Sequence, residues 1–295
     1  MAVYKKTYQR YEGSLTPEWS RFLVLPRYTF EEMWRSRFLT VFFLASFLVP
    51  VFFALTIYLH HNLAAIQLTK IDVSKIIAID ARFFMTFLGI QSMLAFFLAA
   101  FIGPGLISPD LANNALPLYL ARPFSRAEYV IGKMSVLAIL MSAMTWIPGL
   151  LLFVLQSYLE PDWMGSHLRI AFGLFVGSWI WILVLTLLAL AISAWVKWKP
   201  IAAAMMFGVF FVAAGFGGAI NGILRVRWGS LLNISALMGT VYNSLFGATG
   251  SGTVFFRVWR RAPVAPETAW TVLIGICLVC LWLLSKKVRG VEVVR

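Results

Sequence analysis

The sequence predicts an all-α membrane protein: a six-transmembrane-helix bundle with an N-terminal amphipathic interfacial helix and one further short cytoplasmic helix between spans two and three. Three observations carry that prediction. Apolar residues make up 61% of the 295-residue chain and charged residues 13%, with a mean hydropathy of +0.84, which lies outside the ranges of soluble domains on both counts. Six runs reach the roughly 20 apolar residues needed to cross about 30 Å of hydrocarbon; they cover 38–58, 83–103, 130–155, 170–194, 201–224 and 268–285. No long polar block separates them, so one membrane domain is expected over 38–285, between a cytoplasmic or interfacial segment 1–37 and a cytoplasmic tail 286–295.

Local signals mark the elements in order. Thr16-Pro17-Glu18 reads as an N-cap with Pro at the first helical position. It opens a short piece from Pro17 to Leu25 that sets Trp19, Phe22 and Leu23 on one face and ends at Pro26, the pattern of a helix lying among lipid headgroups. The apolar run that follows lacks the layout of a cleaved signal peptide and is expected to remain as span one. Thr29-Phe-Glu-Glu32 and Ser125-Arg-Ala-Glu128 fit the capping box, in which hydroxyl and carboxylate satisfy orphan amides. They start spans one and three near Phe30 and Arg126.

Between spans two and three, Ser108 serves as an N-cap, Pro109 as the first helical residue and Asp110 as a complement to the positive helix end. Pro117 stops this short helix at Leu116, and Arg122-Pro123 sets an extended step before the Ser125 cap. Leu111, Ala115 and Leu118 become exposed apolar candidates on a small knob. A bundle-packing loop and a partner-docking knob are equally open on these grounds.

Two further features concern packing. Gly173-Leu-Phe-Val-Gly177 and Gly218-Ala-Ile-Asn-Gly222 have the small-xxx-small spacing that lets helices approach closely, within the chain or at a dimer seam. The moderately apolar stretch 231–247 is open between three courses: it dips partway into the membrane and returns, which requires that protein shield its backbone, it crosses fully, which puts the C-terminus on the other side, or it stays extracellular.

With the N-terminus inside, the cytoplasmic side receives seven basic residues from 1–37, three from the loop after span two (Arg122, Arg126, Lys133), two from 195–200 and four from the tail, against nine outside. This agrees with the positive-inside rule. The outer cluster Arg225, Arg227, Arg257, Arg260 and Arg261 is the awkward part, and an even number of crossings returns the basic tail to the cytoplasm. The net charge of +13 is thus accounted for by loops and anionic lipid, with no nucleic-acid partner.

Catalytic and metal chemistry find little support. Cys277 and Cys280 share a face inside the last span and read as packing residues without a polar surround. His60 and His61 are adjacent and so do not share a helix face, His167 lies in another loop, and Asp72, Asp80 and Arg82 have no nucleophile to serve. Trp179, Trp181, Trp195 and Trp198 read as aromatic packing and interfacial belts. No GxxxxGK[ST] phosphate loop occurs, so ATP hydrolysis by that route is excluded for this chain. The lack of ionisable residues deep in the spans argues against a proton- or ion-coupled carrier.

The segment Gly105-Leu-Ile-Ser-Pro-Asp110 with Asn114 to Lys133, above all Ala121-Arg-Pro-Phe-Ser-Arg-Ala-Glu-Tyr129 and Gly132-Lys133, resembles the stretch after the second span in ABC-2 type transporter permeases. The resemblance covers the whole chain, from the amphipathic N-terminus through six spans and a long fifth-to-sixth connection to the basic tail. It departs at the front of the motif, where Asp110 and Asn113-Asn114 stand in place of an acidic Glu-Arg-Glu cluster and a Gly-Thr pair.

The resemblance implies a permease subunit of an ATP-driven exporter in the cell (inner) membrane, with both termini cytoplasmic and no enzymatic site of its own. A separate cytoplasmic ABC ATP-binding subunit would hold ATP and Mg, and a second permease chain, identical or similar, would complete the pore. The short helix would be a coupling helix. Asp110, Leu111, Asn114, Leu118 and Tyr119 would dock into the ATPase, while Arg122, Arg126 and Lys133 would fix the loop to the partner or to lipid. The uncharged, aromatic spans suggest an amphiphilic or hydrophobic cargo. A competing reading is a membrane scaffold or enzyme without an ATPase, working through 225–267.

Overall fold

The computed structural model describes residues 24–62, 78–113, 126–247 and 264–287. Among these the regular elements are helical, and six helical stretches are long and apolar enough to cross a membrane. Span one is α2 (Arg37–Ser46) and α3 (Leu48–His61), preceded by α1 (Val24–Arg35). Span two is α4 (Ala81–Ile102), which α5 (Pro104–Ala112) continues after Gly103. Spans three and four are α6 (Arg126–Met144) with α7 (Trp146–Leu159), and α8 (Trp163–Trp195). Span five joins α9 (Lys199–Phe207) to α10 (Ala213–Leu224) through a π-helical turn, Gly208–Val212. After a 3₁₀ turn, Trp228–Leu232, come α11 (Ile234–Phe246) and the sixth span, α12 (Pro266–Lys287).

The bundle is built around α8. Its apolar window is 72% buried, whereas those of spans one, five and six are each 22% buried, so α8 is the axis and the other three present most of their surface to lipid. Large side chains on the lipid side, such as Leu48, Phe52, Val212 and Leu278, are well exposed, as expected where the solvent is hydrocarbon. We call the face bearing α1 proximal and the opposite one distal. Trp195 Nε1 donates to the Leu283 carbonyl at 3.3 Å, which fastens the end of α8 to the end of α12 at the proximal face.

The start of span one differs from the sequence expectation. Helix α1 runs through both Pro26, expected to end a helix, and Thr29, expected to cap one. Pro26, which has no N–H to give to the ladder, is carried within the described part of this helix. The break comes instead at Ser36, extended at φ −82°, ψ 106°, whose Oγ accepts Leu39 N at 3.5 Å. The expected amphipathic piece up to Leu23 lies outside the described residues.

Inside the bundle, polar side chains repair breaks in the helices. Pro50 leaves the Ser46 carbonyl without its helical donor, and Gln91 of α4 supplies one across the span boundary at 3.2 Å. The neighbouring Ser92 bonds the Tyr242 hydroxyl of α11 at 2.7 Å, and its carbonyl accepts Trp181 Nε1 of α8 at 2.8 Å. Three helices thus meet at one buried residue halfway along α4.

The stretch after span five folds back on the bundle. Gly229 and Gly217 of α10 touch backbone to backbone, with no room for a Cβ on either, and Asn221 donates to Ser230 Oγ at 2.8 Å. The chain therefore descends along α10 from the distal end. It then returns antiparallel to α8 as α11, whose 13 residues span about 20 Å, too short to cross. Arg169 at the distal end of α8 caps this helix, donating from Nε to the Leu245 carbonyl at 2.8 Å and from its guanidinium to that of Ser244 at 2.7 Å, the favourable place for a cation. Gly247 follows at φ +65°. The segment thus folds back on the bundle as a hairpin, with most of α11 buried against protein.

The paired glycines resolve differently. An added Cβ at Gly173 would lie 3.0 Å from the Phe246 ring, and one at Gly177 3.0 Å from the Tyr242 ring, so this pair seats α11 on α8. Gly218 and Gly222 face open space. Replacing Gly177 by Leu is expected to cost about 1–3 kcal/mol through overpacking, whereas Gly222→Leu is expected to leave thermal unfolding in detergent unchanged. Equal losses would contradict the placement.

Candidate functional site

The segment that links spans two and three begins as a continuation of α4. Its first helical residue is Pro104, not Pro109, and Ser108 lies within the helix instead of capping it. The reason is a partner the local sequence does not reveal. Ile107 closes the first turn of α5, where amides lack intrahelical acceptors, and Ser108 follows it; Ser193 Oγ of α8 accepts both amides, at 3.0 and 2.9 Å. Ser193 Oγ also lies 3.0 Å from the Pro104 carbonyl, to which it donates, while Ser108 Oγ is 3.0 Å from the Ser193 carbonyl and in contact with that of Val196. The cap of α5 is therefore supplied in trans from span four.

Close packing supports these bonds. A Cβ built on Gly103 would fall 2.6 Å from Ala189 Cβ, so only glycine lets α4 and α5 lie against α8 at this level. Ser108, Ser193, Leu106 and Ile107 are all buried. The element is welded to the bundle axis.

Its far end is held by charge. Lys133 Nζ of α6 lies 2.9 Å from Asp110 Oδ2, and the Tyr129 hydroxyl donates to the same oxygen at 2.7 Å. Lys133 and Asp110 side chains keep only 9% and 16% of their exposure, so water screens them little. Tyr129 is one helical turn before Lys133, which puts both on the same face of α6. Asp110 therefore clamps the end of α5 onto the start of span three.

Of the residues singled out in the sequence, the structure brings Asp110 and Lys133 together, so the Lys133 charge is met within the chain. Leu111 is half-buried against the core, and Arg126 stands exposed at the start of α6. Asn114, Leu118, Tyr119 and Arg122, with Ala115, Pro117 and Ser125, lie outside the described residues. Sequence reasoning missed Ser193 and Tyr129. A serine within an apolar run signals that a buried hydroxyl needs a partner, but not which one. Among the described residues no group of three metal-ligating side chains occurs.

Comparison with known proteins agrees with this architecture. A family model described as ABC-2 family transporter protein matches residues 30–237, more than two thirds of the chain, and it takes in spans one to five and the whole segment from Pro104 to Lys133. Curated proteins return no match. The chain belongs to the ABC-2 family of transporter proteins, as a multi-pass transmembrane permease.

Proposed function

We propose that the chain is the membrane-spanning permease subunit of an ATP-driven exporter, receiving mechanical work from a separate cytoplasmic ATP-binding subunit through the segment from Pro104 to Lys133. The observation that carries this reading is the double attachment of α5: Ser193 fastens its start to the bundle axis, and Lys133 with Tyr129 fastens its end to span three. Close-packed interiors transmit displacement instead of absorbing it. A push delivered to 114–122 reaches α5 on one side and α6 on the other, and from α5 it passes to α8.

The remaining parts follow from that role. ATP and Mg bind the partner subunit, and a second permease chain completes the pathway, its seam including the open face of α10 at Gly218 and Gly222. The proximal face is cytoplasmic in the inner membrane, in keeping with the distribution of basic residues. Asn114, Leu118 and Tyr119 dock into the ATPase, with Asp110 and Leu111 setting the angle of the segment and Arg122 and Arg126 steering it by charge. The cargo is amphiphilic or apolar.

The test is a detergent pull-down of the tagged chain from its native membrane with mass spectrometry of the co-purifying proteins. A stoichiometric P-loop ATPase is expected with the native chain and is expected to be lost with Leu118→Asp while membrane insertion persists. Recovery of the chain alone would overturn the coupling role and turn attention to 225–267.

A further inference from the structure

Two helices end side by side at the proximal face, α8 at Trp195 and α12 at Lys287. The bond from Trp195 Nε1 to the Leu283 carbonyl joins them, and the lysines of α12 rest on the indoles of this seam. Lys287 Nζ lies 5.4 Å from the centre of the Trp195 ring, across the seam, and Lys286 Nζ lies 3.8 Å from that of Trp282, one turn back on its own helix. Lys197 follows shortly after Trp195 in the chain. All three lysines are exposed, and among the described residues none of them is ion-paired with a carboxylate.

A ring face holds an ammonium in place without cancelling its charge, and the N–H groups turned away from the ring remain donors. The helix ends account for part of the charge. Each C-terminus carries roughly half a negative charge, so the two ends together offset about one of the three positive charges and leave about two. That surplus stands at the depth of lipid headgroups, where interfacial tryptophans also collect.

Toward the bilayer interior the lysines continue into an apolar stripe. Ile274, Leu278, Trp282 and Lys286 follow one another at i, i+4 spacing and so share one face of α12. Ile274, Leu278 and Trp282 are 54%, 61% and 54% exposed. From Ile274 to Lys286 the helix rises about 18 Å, close to the roughly 15 Å of hydrocarbon in one leaflet. A cationic end above an apolar stripe one leaflet long is complementary to an amphiphile with an anionic head.

We propose that the proximal seam of α8 and α12 binds an anionic phospholipid of the adjoining leaflet, its phosphate on Lys286 and Lys287 and an acyl chain along Trp282, Leu278 and Ile274. Lys197 adds to the local field. Charge complementarity selects an anionic head, and anionic headgroups concentrate near basic residues at this depth. A soluble acidic partner would meet the lysines alone, whereas a lipid follows the stripe into hydrocarbon as well. Bound there, it anchors the proximal end of span six, whose apolar window is only 22% buried, to that of span four. The binding does not rest on the proposed coupling role.

The experiment is native mass spectrometry of the purified full-length protein in detergent with equimolar phosphatidylglycerol and phosphatidylcholine. The native chain is expected to retain phosphatidylglycerol preferentially. Lys286→Gln and Lys287→Gln are each expected to reduce that preference about fivefold, and the double variant about thirtyfold, at roughly 1 kcal/mol per basic residue. Replacing both lysines by Arg keeps it. Arg35→Gln, which removes an exposed proximal charge at the end of α1, is expected to leave it unchanged. Both lysines are exposed in the last turn of their helix, so an unaltered thermal unfolding midpoint confirms that the variants are folded, and the single variants carry the comparison should the double one unfold early. Equal retention of the two lipids by the native chain would overturn the proposal, as would an equal loss on Arg35→Gln, which marks diffuse surface attraction. Displacement of phosphatidylglycerol by millimolar inorganic phosphate would identify a free-anion site and overturn it as well. An unchanged lipid preference in the double variant, together with loss of a co-purifying ATPase, would assign the lysines to a protein partner instead.

Discussion

Replacing Lys133 by Met is expected to destabilise the protein by about 3–5 kcal/mol, because it strands the Asp110 carboxylate in a site with little water. The isolated Coulomb attraction of the pair is not the source of this cost, since desolvation offsets much of it. What matters is that Asp110 Oδ2 then keeps only the Tyr129 hydroxyl, where it had an ammonium at 2.9 Å as well. The double variant Asp110→Asn with Lys133→Met is expected to recover most of the loss, because a neutral amide accepts the Tyr129 hydrogen without burying a charge. Chemical or thermal unfolding in detergent, followed through a double-mutant cycle, measures the coupling. Strictly additive effects would show that the two groups do not act on each other. If the proposed function holds, the destabilisation also frees the end of α5 from α6, and ATP hydrolysis by the partner continues with reduced transport.

Ser193→Ala tests the other attachment. The variant deletes only the hydroxyl that accepts the Ile107 and Ser108 amides; Ser108 keeps the Pro104 carbonyl four residues back in its own helix, so the main cost is one buried donor left without an acceptor, about 1–3 kcal/mol. Hydrogen exchange reads it locally: the amides of Ile107 and Ser108 are expected to lose protection far beyond those of the mid-membrane part of α4. Ser108→Ala is expected to have a much smaller effect, since it removes a donor to the Ser193 and Val196 carbonyls and leaves both amides capped. Unchanged exchange at 107 and 108 in Ser193→Ala would refute the trans cap.

These two attachments mark where local sequence reasoning stops. Ser108-Pro109-Asp110 satisfies the rules for a helix start, and the rules concern only how a side chain serves its own backbone. In the structure Ser108 and its amide turn to a residue 85 positions away. Pro109 is carried inside the helix, and Asp110 turns to Lys133 and Tyr129. The same happens at Thr29, whose capping box is overridden by a helix that starts upstream and breaks at Ser36. Capping residues in a membrane bundle are equally suited to cross-linking helices, and burial decides which use prevails.

The sequence by itself determined the class, the six crossings and the family resemblance, while it left 231–247 open between a re-entrant, a spanning and an extracellular course. A spanning helix is recognised by a transfer free energy summed over about 20 neighbouring residues, a quantity that needs no knowledge of the fold. The length of α11, 13 residues, is a property that only the structure supplies. Only the tertiary structure decided that α8 is the axis, that Gly173 and Gly177 seat α11 while Gly218 and Gly222 stay open, that Gln91 answers Pro50, and that Ser193 and Lys133 hold α5. In hydrocarbon every polar group must find a partner, and the sequence shows that the need exists. Which partner meets it depends on how helices distant in sequence are superposed, and that is fixed by packing.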